Sequence, residues 1–417
     1  MRALVFFLAV ILLFGDVYGQ DSATRQERPF EQKDIYDWLV QKKVLKKRPV
    51  RKSFLLIVPV IASNPTAGII LGAGLSYAYK SKPEGMKISS VTGNATWSTK
   101  GLINLNLKSN AFVLHEQLVL NGDWRYLVNS ETTYGLGSGK YPSHAALNAN
   151  GYTASTDSIG QPLTFSQIRL HETASLQLLP DFYAGIGFQF DSRFDIQDHT
   201  LEAGDSIGSF HYQYSLANGF DPTHYTTSGP GLNLLFDNRD NQVNAHRGWY
   251  VNLNYLINSE FLGSSANSSL LLTEYRSFHA LGKKQKGQVL AFWLYGNFVV
   301  TGKVPYLALP AYGHDQRQRT GRGYPFGTFR GEDGLIAETE FRFPISANTG
   351  ILGGVLFANA GSTSSRTEGI RLLQYVRPGY GAGLRIMIEK RSRTRLQIDA
   401  AVANRQLGFY FGAQETF

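Results

Sequence analysis

The chain has no cysteine. That excludes disulfide frameworks, thiolate metal sites and cysteine nucleophiles together. Charge is scarce too, at 18% of 417 residues, and so low a fraction argues against a disordered chain or a coiled coil. Beyond the first twenty residues no apolar run approaches the roughly 18 that a membrane helix needs. Proline is thin, at 15 residues, whereas glycine (43), phenylalanine (26) and tyrosine (22) are plentiful. Aromatics favour strands and glycine favours turns, so the composition leans all-β. The length suits two or three ordinary domains, but large β-barrels break that prior.

What is present begins with an address. Met1-Arg2 carries positive charge, and Ala3–Gly15 is an apolar run of 13 residues. This is the length of a signal-peptide core and too short to cross a bilayer. Val17-Tyr18-Gly19 places a small residue before Gln20, so residues 1–19 are predicted as a signal peptide. An exported chain without a membrane helix is either soluble outside the cytoplasm or in a membrane as a barrel.

Residues 20–52 form a basic preface. Ten basic and four acidic residues stand between 25 and 52, most of the chain's excess of nine positive charges. Ile35, Trp38, Leu39 and Val44-Leu45 make one apolar helical stripe, which predicts a short amphipathic helix over Glu31–Leu45. Trp38, Lys42, Lys43, Lys46 and Lys47 are then candidates for contact with anionic lipid or an acidic partner. A solvated leader is the plainer reading. Nucleic acid is a poor partner for an exported chain.

From Ser53 the chain reads as sixteen successive strands, most of 10–16 residues. Soluble strands average only about 5–6, whereas these are long enough to cross a bilayer at a tilt. Several alternate cleanly. In 246–259, Trp249, Val251, Leu253, Tyr255 and Ile257 oppose Tyr250, Asn252, Asn254 and Asn258. In 405–417, Leu407, Phe409, Phe411 and Phe417 are predicted to share one face. The four long gaps, 130–162, 197–228, 302–333 and 361–376, all follow odd-numbered strands. Membrane barrels alternate in this way, with long loops outside and tight turns at the periplasm. The expectation is an all-β, 16-stranded antiparallel transmembrane β-barrel over 53–417 in a bacterial outer membrane, in contact with its lipids and lipopolysaccharide.

One long gap differs from the rest. Residues 302–333 hold His314, Arg317, Arg319, Arg322 and Arg330, with Arg322 inside the run Gly321-Arg322-Gly323-Tyr324-Pro325-Phe326-Gly327. A Gly-flanked turn with Arg at its apex suits a loop folded back into the lumen, where the Arg needs a carboxylate. On strand twelve, Glu338, Glu340 and Arg342 share one face and Ala337, Thr339, Phe341 and Phe343 the other. Carboxylates on a lipid-flanked strand must point inward. An ordinary polar loop above a polar lumen fits the pattern equally.

The Arg-Gly-Tyr run followed by Glu340-Phe341-Arg342-Phe343-Pro344 resembles the outer-membrane assembly-factor superfamily, the BamA- and TamA-like proteins also called bacterial surface antigens. Leu55–Leu71 is similar to that family's first hairpin, and Asp237, Arg239 and Asp240 to its periplasmic turn motif. Leu356–Gly361 and Gly381–Arg385 resemble its strands thirteen and fourteen. Phe417, with Phe411 and Phe409, resembles the barrel signal that ends such chains. The resemblance implies an inward-loop lock of Arg322, Gly323 and Tyr324, with Glu340 as the main partner beside Glu338. The family's strand-thirteen acid is Asn359 here. By that lock, Arg322→Ala is expected to be damaging and Arg319→Ala mild. Members insert other barrels into the membrane or pass polypeptides across it, so client outer-membrane proteins and periplasmic accessory proteins are the implied partners. They also usually carry POTRA domains, for which 20–52 is too short.

Other patterns carry less. His199, His211 and His224 match no metal spacing, and Gly204-Asp205-Ser206-Ile207-Gly208 lacks the strand and helix that a nucleophile elbow requires. No enzyme, cofactor or metal is therefore expected. A 16-stranded transport pore is the alternative function, and a structural or homodimeric barrel the third.

Overall fold

The computed structural model describes residues 32–46, 53–64, 68–79, 87–139, 160–202, 208–281, 287–346, 348–404, 406–413 and 415–417. The predicted signal peptide, Glu31, Lys47 and the 204–207 part of the Gly-x-Ser-x-Gly pattern lie outside them.

Sixteen strands form one antiparallel sheet in chain order, so each strand pairs with the one before and after it. They are β1 (Ser53–Asn64), β2 (Gly68–Tyr79), β3 (Ser89–Ser98), β4 (Ile103–Val113), β5 (Leu118–Thr133), β6 (Gln161–Leu179), β7 (Phe182–Asp198) and β8 (Tyr225–Asp237). The second half comprises β9 (Gly248–Asn258), β10 (Ser268–Ala280), β11 (Val289–Gly302), β12 (Asp333–Pro344), β13 (Leu352–Thr363), β14 (Arg377–Glu389), β15 (Thr394–Ala403) and β16 (Gln406–Gly412). These are the sixteen antiparallel strands expected, the last of them shorter than predicted. Among the described residues no ladder joins β1 to β16.

Period-two alternation decides which face meets lipid. On β8, Leu232 and Leu234 are exposed while Asn233 between them is buried. A barrel turns its apolar face outward to hydrocarbon and fills its interior with polar groups, the reverse of a soluble protein. No helix among the described residues is long and apolar enough to cross a membrane. Register follows from this alternation, because a one-residue slip would turn every polar side chain toward lipid.

The four long connections, after β5, β7, β11 and β13, all lie at one end. Pro180-Asp181 joins β6 to β7, with Asp181 at φ 62°. The β7–β8 loop holds two helices, α2 (His199–Glu202) and α3 (Phe210–Asn218). Ser209 caps α3 by accepting the Tyr212 amide, and Gly219 ends it in the left-handed conformation. This loop and the β11–β12 loop bury a cluster at the long-loop mouth, including Leu163, Tyr225, Tyr306, Leu307 and Leu309.

The N-terminal helix, α1 (Ile35–Gln41), is shorter than the predicted Glu31–Leu45. Asp34 and Asp37 form a capping box that fixes its start, and Lys43 at φ 60° marks its stop. Periodicity saw the apolar stripe but not these local bonds. The helix sits against the short-turn rim: the Lys33 amide donates to the Thr349 carbonyl at 2.8 Å, and Lys390 Nζ donates to Asp37 Oδ2 at 2.6 Å.

Candidate functional site

The β11–β12 loop folds inward. Asp315 organises its turn, with Oδ1 accepting from the Arg319 and Thr320 amides and the Thr320 hydroxyl at 2.8–2.9 Å. Gly321 and Gly323 then adopt φ of 73° and 104°. Only glycine fits Gly323, since a Cβ there would lie 2.8 Å from that of Ala403. This tight passage presses the apex against β15 and β16, where the Gly323 amide donates to Tyr410 Oη at 2.8 Å.

Arg322 is thereby carried into a fully enclosed site. Its Nη2 reaches Glu338 Oε1 and Glu340 Oε1, each at 2.5 Å. Its Nε donates to Glu338 Oε2 at 3.2 Å and its Nη1 to Asp399 Oδ2 at 2.8 Å. The guanidinium also lies 3.4 Å from the Phe357 ring centroid. Arg322 therefore meets three carboxylates, Glu338 and Glu340 at 2.5 Å and Asp399 at 2.8 Å. Asn359 does not meet the guanidinium; its Nδ2 donates to the Arg322 carbonyl at 3.0 Å and fixes the loop backbone instead. Tyr324 donates to the Pro378 carbonyl at 2.9 Å and packs edge-on against Tyr312 and Phe329.

Charge balance extends the site. Glu340 also takes Arg342 Nε at 2.7 Å, Asp399 takes Arg385 Nη1 at 2.5 Å, and Glu415 takes Arg385 Nε at 2.6 Å. Each guanidinium thus has a carboxylate in reach, which offsets the desolvation of so many buried charges. Gly383 makes the arrangement possible: a Cβ there would lie 1.8 Å from Asp399 Oδ1. Asp399 and Glu415 were not visible as partners in the sequence. The alternation of β15 (Leu396, Ile398 and Ala400 against Gln397 and Asp399) was the one signal that Asp399 faces inward.

The remaining candidates are scattered. Arg239 Nη2 and Nε meet Asp237 at 2.8 Å, with the guanidinium 4.7 Å from the Tyr250 ring, so this pair braces the β8–β9 turn. Asp240 joins the β14–β15 turn through Arg393 Nη1 at 2.7 Å. Phe409 and Phe411 are each 62% exposed on the lipid face, but Phe417 is 2% exposed and turns into the lumen. The predicted strand 405–417 runs only to Gly412, so strict alternation failed beyond it. Arg319 is not an idle neighbour either, for its Nη2 donates to the Phe411 carbonyl at 2.8 Å. Glu131, which the sequence did not single out, pairs with both Arg330 and His314.

The three histidines do not converge. His199 meets Thr164 and His224 meets Ser192, while His211 is buried beside Tyr225 and Tyr306. Burial pushes the His211 imidazole down to about 4. On α1, burial also raises the Asp34 carboxyl above its ordinary range. Trp38, Lys42, Lys43 and Lys46 are exposed.

In the other half of the lumen, Asp123–Arg125 and Asp191–Arg169 pairs flank a cavity of about 180 Å³ lined by Asn252, Asn254 and Asn297. By the space one water needs, it can hold on the order of ten to twenty waters.

An Omp85 superfamily domain matches residues 124–417. Among solved structures, BamA from Haemophilus ducreyi lacking POTRA domains 1-3 is similar at TM-score 0.53 and 13% identity, over 86% of this chain and 69% of that one. CdiB from Acinetobacter baumannii is similar at TM-score 0.50 and 12% identity, over 87% and 59%. CdiB from Escherichia coli gives TM-score 0.52 and 9% identity, over 88% and 63%. The chain thus spans less than two thirds of either CdiB, and at these identities the likeness is one of fold. Among curated protein sequences none matches. With the domain match covering well over half the chain, it belongs to the Omp85 superfamily and is a bacterial outer-membrane β-barrel.

Proposed function

We propose that the barrel assists insertion of outer-membrane proteins or passage of polypeptides across the outer membrane. The observation that carries this is the loop held inside the lumen by Arg322 on Glu338, Glu340 and Asp399, in a chain of this superfamily. A lumen crossed by an ion-paired loop suits a scaffold that acts on proteins better than an open diffusion pore. The residues brought together bind and position; none forms a nucleophile and base pair, and we read the barrel as non-enzymatic.

The partners follow from the same reading: client outer-membrane proteins and periplasmic accessory proteins. We assign α1 to the membrane surface at the short-turn rim, where exposed Trp38, Val44 and Leu45 stand beside Lys42, Lys43 and Lys46.

Depleting the protein and quantifying the outer-membrane proteome tests the function. Barrel proteins should fall while lipoproteins hold. Unchanged barrel levels, together with a steady and selective conductance of the purified protein in planar bilayers, would replace this reading with the pore.

A further inference from the structure

Glu415, Thr416 and Phe417 leave the barrel wall. They are 3%, 1% and 2% exposed, among the most buried residues described, although the strand before them ends at Gly412. The Phe417 ring stacks on Trp293 at 5.3 Å and 28° and meets Phe278 at 6.2 Å. Arg342 lies 5.2 Å over the same ring and its Nη2 donates to the Phe417 carbonyl at 3.1 Å. Glu415 accepts Arg385 Nε at 2.6 Å, with Arg395 Nη1 at 3.6 Å and Arg342 Nε at 4.0 Å. Its carbonyl accepts from Arg317 of the in-folded loop at 3.4 Å.

The placement is as telling as the bonds. Phe278 lies near the end of β10, and Val289 of the same pocket opens β11, so the pocket is at the short-turn end. That end faces the periplasm in an outer-membrane barrel. β11 stands five strands from β16 in the sheet, so the segment crosses the lumen to reach it. β16 itself is only 7 residues long and pairs with β15 alone among the described strands. A short strand laddered on one side is weakly held by backbone bonds.

We infer that Glu415–Phe417 form an internal latch, which holds the last strand to the barrel through the lumen and closes its periplasmic half. The aromatic end supplies affinity, because Phe417 leaves no lipid-facing position to compensate its burial there. The acidic residue supplies direction, because Arg342, Arg385 and Arg395 converge on it. Opening the periplasmic half then requires both contacts to break at once, and the Arg317 bond couples that step to the in-folded loop.

The absence of cysteine makes a direct test available. Thr416→Cys creates the sole thiol, and Thr416 Oγ1 has no hydrogen-bond partner to lose among the described residues. In the folded barrel, maleimide should label it on the order of a hundredfold more slowly than in the unfolded chain. Adding Phe417→Ala, or separately Glu415→Gln, should speed labelling by roughly tenfold or more while heat-modifiable mobility still reports a folded barrel. Planar-bilayer conductance of the Phe417→Ala protein should rise above that of the parent. Labelling as fast as in the unfolded chain, or a rate indifferent to both second substitutions, overturns the latch. Unchanged conductance overturns its closing role. Neither failure touches the assembly reading, which the proteome measurement tests separately.

Discussion

Arg322 Nη1 donates to Asp399 Oδ2 at 2.8 Å, so the in-folded loop is tied to β15 as well as to β12. Removing either partner leaves the buried cluster one charge out of balance. Arg322→Ala and Asp399→Asn should each destabilise the barrel by about 3–5 kcal/mol. Arg322→Lys should not rescue, because one ammonium cannot span three carboxylates arranged for a planar fork. Arg371→Ala, on an exposed loop, should stay within about 0.5 kcal/mol and serves as the control that Arg319 cannot. Urea unfolding in detergent, followed by heat-modifiable mobility, reads all four. Equal midpoints for Asp399→Asn and Arg371→Ala would remove Asp399 from the lock.

His211 makes the long-loop mouth sensitive to acid. Its folded form is neutral, with the imidazole at about 4 against an ordinary 6.5. The unfolded loop therefore binds the extra proton between those values, so stability is full above about 6.5 and is lost as pH falls toward 4. The loss reaches roughly 3 kcal/mol for a group buried this deeply. Proteinase K cleavage within 199–224 should accelerate between pH 7 and pH 4.5, and His211→Leu should flatten that dependence. Equal acceleration in both proteins would assign the effect to another group.

The α1 assignment has its own test. Its ion pair, Lys390 with Asp37, is partly exposed and worth at most about 1 kcal/mol, so the helix should be released easily. If Trp38 rests in the headgroup region, brominated anionic phospholipid should quench its emission, taken as the difference between the chain and Trp38→Phe. Glu at Lys42, Lys43 and Lys46 should reduce that quenching. A difference spectrum untouched by bromine would place the helix in water.

Much of this architecture was legible beforehand because a membrane barrel writes its fold in a short-range code. Alternation along β8, β9 and β12 separates lipid from lumen residue by residue, and loop lengths separate the two ends. The inward loop was legible for the same reason: Gly321 and Gly323 announce a tight turn, and Glu338 and Glu340 must avoid lipid. What the pattern could not carry was distance across the lumen. Asp399 meets Arg322 although 77 positions separate them, and Glu131 meets Arg330 across 199. The histidines of the β7–β8 loop likewise sat close in sequence and went to different partners.

Phe417 draws the boundary most clearly. Sequence alone determined the strands, their register, the outward apolar face and the charge that must be hidden inside, because each is a local consequence of a polar backbone placed in hydrocarbon. Only the tertiary structure decided which arginine met which carboxylate, and that the last aromatic turns inward to Trp293. Those outcomes depend on curvature bringing distant walls within a few ångströms of each other, and no period along the chain encodes that.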